Sequence, residues 1–146
     1  MQKYQAFLTV PYQPGKVEAV AYRKGEKAAC TKLETTGAPA RIVLEPDRGE
    51  IQADGMDLSF VTVRVVDEED RTVVTDDVHL CACAEDGQLL AFGSANPCTE
   101  ENYSNERNAF AGYALAVIRA GREPAQIKLT VSAEGLPDAS VVISCK

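Results

Sequence analysis

Residues 57–66 read DLSFVTVRVV, and this stretch decides the fold. Val61, Val63 and Val65 fall at every second position, with Thr62 and Arg64 between them. A period of two puts alternate side chains on opposite faces of a strand, and β-branched residues suit a pleated, half-buried surface. The polar run DEEDR at 67–71 then ends the strand in a turn. IKLTVSA at 127–133 repeats the pattern, with Ile127, Leu129 and Val131 inward and Lys128, Thr130 and Ser132 outward. ASVVIS at 139–144 follows the turn Gly135-Leu136-Pro137-Asp138 and directs Val141 and Ile143 inward, so the two segments are predicted to form a hairpin.

Outward from these strands lie shorter candidates: RIVLEP at 41–46, EIQA at 50–53, VHLCAC at 78–83, QLLAFG at 88–93 and GYALAVIRA at 112–120. Alanine would allow a helix in the last. However, Gly112 and Gly121 bound it and Tyr113, Leu115 and Val117 alternate, which predicts a strand. About seven strands separated by frequent turns predict an all-β, immunoglobulin-like antiparallel β-sandwich over residues 38–146.

Residues 1–37 read as a separate piece. FLTVPY, KVEAVAYR and KAACTKLET are three strand-like segments around turns at Gln13-Pro14-Gly15 and Lys24-Gly25, and Gly37-Ala38-Pro39-Ala40 marks the boundary. Three strands give one sheet whose apolar face, with Val10, Val17 and Val20, needs cover. The piece is therefore expected to be the last strands of a truncated upstream immunoglobulin-like module. It has three outcomes open to it: packing on the larger domain, edge pairing with a second copy into a homodimer, or partial disorder.

Composition narrows the function classes. The 22 acidic residues outnumber the 15 basic ones, leaving no Lys/Arg stripe to neutralise phosphates, so nucleic acid is not an expected partner. No run approaches the roughly 18 apolar residues of a membrane span, so no membrane partner is expected either. MQKYQAFLTVPYQPG lacks the apolar stretch and cleavage site of a signal peptide. If the parent is secreted, periplasmic or displayed at the cell surface, its signal lies upstream of Met1. The five cysteines, Cys30, Cys81, Cys83, Cys98 and Cys145, leave at least one thiol free and do not read as a disulfide framework. Cys81 and Cys83 share a strand face, whereas the one histidine, His79, is placed out of phase with both. No metal site and no cofactor are expected; the acidic spacing matches no calcium loop.

The motifs carry a resemblance. Tyr12–Gly15, Ala19–Tyr22, Lys24-Gly25 and Thr36–Pro39 follow the YxPG turn, AVAY strand, K-G turn and linker of one module, and Ile51–Val63 reads I-x-A-D-G-x-D-L-S-F-V-T-V, the specific part of the match. Phe92–Pro97, Glu100–Tyr103 and Arg107–Ala114 continue it as a loop, an acidic-aromatic stretch and an R-x-A-F-x-G-x-A strand. Nearly the whole chain resembles the C-terminal immunoglobulin-like region of family 2 glycoside hydrolases, the β-galactosidase group. It departs at Gly93-Ser94-Ala95, where the family carries glycine-asparagine-glycine, and at the cysteines of VHLCAC.

The resemblance implies a non-catalytic C-terminal accessory domain with a structural or positioning role. Its expected partners are the upstream catalytic and immunoglobulin-like domains of the same polypeptide. The family's paired glutamates belong to a TIM barrel upstream, so it assigns no catalytic residue here. The alternatives are a carbohydrate-binding module or a surface, adhesin-like repeat. For sugar binding the polar connection NPCTEENYSNERNAF supplies the candidates: Tyr103 as an aromatic platform, with the amides of Asn102 and Asn105. Phe92 and Phe110, on either side, are expected in the core.

Overall fold

The computed structural model describes residues 7–74, 77–98 and 104–146. The chain divides into two compact units, Met1–Thr35 and Thr36–Lys146.

In the first unit β1 (Lys16–Arg23) and β2 (Glu26–Glu34) pair antiparallel, from Lys16 opposite Glu34 to Arg23 opposite Glu26. The two-residue turn between them puts Lys24 and Gly25 at φ 54° and 87°. Positive φ at both central positions gives a turn whose twist matches that of the strands it joins. At the open end the Gly15 amide donates to Thr35 Oγ1 at 3.0 Å, and the Thr35 amide donates to the Gly15 carbonyl at 2.8 Å. The expected third strand, FLTVPY, does not form: residues 7–13 are irregular. Pro11 has no N–H for a ladder, and among the described residues β1 and β2 pair only with each other.

The second unit is a sandwich of two sheets. A four-stranded sheet runs β3 (Arg41–Pro46), β5 (Leu58–Val66), β9 (Tyr113–Arg119), β7 (Gln88–Ser94). A five-stranded sheet runs β4 (Glu50–Ile51), β11 (Ala139–Cys145), β10 (Ala125–Ala133), β6 (His79–Glu85), β8 (Glu106–Asn108). All pairings are antiparallel except that of β11 with β4. The predicted sandwich is present, and Val61, Val63, Val65, Leu129, Val131 and Ile143 are all fully buried between its layers.

In β9 the core takes Ala114, Ala116 and Ile118, while Tyr113 and Leu115 face out. The register explains why. Val63 lies opposite Ala114 and Val61 opposite Ala116, so wide valines on β5 meet small alanines on its neighbour. Phe92 enters the core as expected, but Phe110 does not; it is 43% exposed in the turn where its backbone pairs with Tyr113. Two glycines are required by packing. A Cβ on Gly87, between β6 and β7, would lie 2.6 Å from the buried Ile127 Cγ2. One on Gly112, at φ 78°, would lie 2.5 Å from the Val73 carbonyl oxygen. No helix among the described residues is long and apolar enough to cross a membrane.

Candidate functional site

The carboxylates of the Ile51–Val63 motif, and Asp47 just before it, are engaged by nearby backbone amides and side chains. Asp54 Oδ1 accepts from the amides of Met56 and Asp57, both at 2.7 Å, closing the turn before β5. Asp57 accepts from the Gln52 amide at 2.9 Å and from Arg48 at 2.9 Å, and these bonds hold its carboxyl below its usual range. Asp47 Oδ1 accepts from the Phe60 amide at 2.8 Å and from the hydroxyl of buried Ser59 at 3.2 Å. The motif therefore builds a hydrogen-bonded corner that fixes where β5 starts.

Asp67 plays the same part at the other end of β5. Its carboxylate, 1% exposed, accepts from the Gly37 amide at 2.8 Å, the Arg71 amide at 2.9 Å, Arg71 Nε at 2.8 Å and the Glu69 amide at 3.1 Å. Burial pushes its pKa upward, but the bonds from Gly37 and Arg71 outweigh that and bring it down to about 2.

Of the proposed sugar contacts, Tyr103 and Asn102 lie outside the described residues. Asn105 is exposed, and its backbone carbonyl accepts from the Ala82 amide at 2.7 Å just before β8. Further along, Arg107 is buried with Nε donating to the Phe92 carbonyl at 3.2 Å, which ties β8 to β7 across the sandwich.

The structure corrects the reading of His79. Positions 79, 81 and 83 have the same parity, so His79 shares the solvent face of β6 with Cys81 and Cys83, while Leu80 and Ala82 point into the core. β8 pairs with β6 so that Asn108 lies opposite His79 and Glu106 opposite Cys81. His79 Nδ1 is 2.8 Å from Asn108 Oδ1, and Nε2 is 3.6 Å from Glu106 Oε2. One ligand atom from each of His79, Cys81 and Glu106 lies within 4.8 Å of the other two, the one such group among the described residues. Beside it His79, Asp77, Glu134 and Leu136 line a cleft of about 460 Å³. The group draws on two strands more than twenty residues apart, and no spacing within either strand signals it.

Residues 42–142 match the glycoside hydrolase family 2 C-terminal domain 5. The chain belongs to this family. Family 2 relatives agree over nearly its whole length. β-Galactosidase BoGH2A of Bacteroides ovatus is 37% identical over 139 residues, which are 94% of this chain and 16% of that protein. A glycosyl hydrolase family 2 member from Bacteroides cellulosilyticus superposes with a TM-score of 0.88 at 35% identity, over 94% of this chain and 18% of that one. The fold alone extends to a C-terminal fragment of intimin, with a TM-score of 0.51 and 14% identity over 73% of this chain and 33% of that one. The chain thus spans about a sixth of the curated family 2 relative it matches and corresponds to one accessory module of larger family 2 proteins.

Proposed function

We propose that this chain is the non-catalytic C-terminal accessory domain of a β-galactosidase-like family 2 enzyme, and that it supports the rest of that polypeptide without touching the reacting sugar. The family match over residues 42–142 carries this reading. The engaged carboxylates agree with it. Retaining hydrolysis requires two carboxyl groups about 5 to 5.5 Å apart, one to attack and one to transfer a proton. Asp47, Asp54, Asp57 and Asp67 are instead committed to backbone amides that define the strand ends.

The outer face of the four-stranded sheet suits contact with the rest of such a polypeptide. Phe60 and Leu115 are 41% and 39% exposed, and Tyr113 stands on the same face opposite Arg64. Exposed apolar side chains gathered on one sheet face mark interaction surfaces. In the same reading β1 and β2 are the closing strands of a neighbouring module, and the bare edges of the ribbon are where a second copy of the isolated chain would pair.

The test is incubation of the purified chain with a chromogenic β-galactoside. The expected result is no turnover above buffer. Turnover that copurifies with the chain and is lost on substituting one of its glutamates would overturn the reading.

A further inference from the structure

We propose that His79, Cys81 and Glu106 form a zinc site on the outer face of the five-stranded sheet. The three side chains offer an imidazole nitrogen, a thiol sulfur and a carboxylate oxygen, a mixed set that suits Zn²⁺ better than the all-oxygen cations. Tetrahedral zinc, with bonds of about 2.0 to 2.3 Å, holds its donor atoms about 3.3 to 3.8 Å apart. His79 Nε2 and Glu106 Oε2 already stand 3.6 Å apart. With all three donors within 4.8 Å, closure needs only rotamer adjustment at exposed side-chain ends.

The second observation is the contact behind the imidazole. Nδ1 lies 2.8 Å from Asn108 Oδ1, an acceptor that matches the tautomer protonated at Nδ1. In that tautomer the lone pair is on Nε2, the nitrogen that stands 3.6 Å from Glu106 Oε2. A hydrogen bond that fixes the tautomer of a histidine ligand from behind is the usual second layer of a metal site. The strand register supplies the rest: Cys81 opposite Glu106 and His79 opposite Asn108 place both ligands and support on one rigid pair of strands. On binding, the Cys81 thiol gives its proton to solvent and its sulfur bonds to the metal, and the fourth position is left to water.

Cobalt(II) titration of the reduced chain tests the site, because thiolate-bound cobalt shows a near-ultraviolet charge-transfer band. One equivalent should saturate the band, and zinc should displace it. C81S should abolish it, whereas C83S should retain it. H79Q and E106Q should weaken binding at least tenfold, and N108A by about 10- to 100-fold with the ligands intact. Each variant's far-ultraviolet circular dichroism confirms that the sheet has formed. A band that survives in C81S, that C83S removes equally, or that is indifferent to His79 would overturn the proposal, as would no saturable band at all.

Discussion

Val63 of β5 lies directly opposite Ala114 of β9, and both are buried between the sheets. Within the four-stranded sheet the pair sets a branched side chain beside a methyl group on the core face. V63A should cost about 1 to 3 kcal/mol through lost burial and an unfilled cavity. A114L should cost a similar amount for the opposite reason, because a close-packed interior has no room for three more carbons. Urea unfolding of both variants checks the pair. A change below about 0.5 kcal/mol in either would mean that the pair does not pack as described.

Asp67 should make stability fall in acid within a definable window. Its folded pKa of about 2 lies below its ordinary value of 3.8, so the folded state binds that proton less readily than the unfolded one. Its contribution is complete above the ordinary value and is lost as pH falls through the folded one. D67N should therefore be less stable than the parent sequence near neutral pH, with the gap narrowing as pH drops from about 4 toward 2. Urea midpoints for the two proteins across that range read the gap directly. A constant gap would show that the carboxylate charge is not what stabilises this corner.

Gly87 is predicted to be irreplaceable only while Ile127 is present. A methyl at position 87 would press on the side chain of Ile127, which is fully buried. G87A should cost about 1 to 3 kcal/mol, and adding I127V should cost less than the sum of the two single changes, because the second mutation removes part of the clash. Additive costs in a double-mutant cycle would contradict this contact.

The parts of the fold legible in the sequence are those where large aliphatic residues alternate with polar ones. β5 and β10 meet that condition, and every residue assigned inward there is buried. β9 does not. Tyr113, Leu115 and Val117 alternate with Ala114, Ala116 and Ile118, so both faces are apolar and hydrophobicity alone does not say which is inside. The neighbouring strand decides: the register sets Ala116 and Ala114 opposite the buried Val61 and Val63, and so on the same inward face. FLTVPY carries strand-like residues, but its proline removes a ladder donor and no strand among the described residues pairs with it.

The grouping of His79 with Glu106 was hidden for a different reason. The shared face of His79, Cys81 and Cys83 follows from strand parity alone, but Glu106 joins them only through the register of β8 on β6, across a long connection. A short edge strand of three residues has too little pattern to reveal that register. The Ile51–Val63 motif, by contrast, was legible as a family feature before its role was. Its two aspartates, Asp54 and Asp57, together with Asp47 just before the motif, are the acceptors that set the start of β5.

The most direct measurement of the central claim compares a full-length family 2 parent with the same protein cut before Thr36, the start of the sandwich unit. Turnover of a chromogenic β-galactoside per folded molecule and the temperature of irreversible inactivation are read on both. The account predicts that the shortened enzyme keeps its turnover below its melting range and inactivates at a lower temperature. Loss of turnover in a shortened enzyme that is folded and inactivates at the same temperature would contradict it, since the module would then be supplying chemistry in place of support.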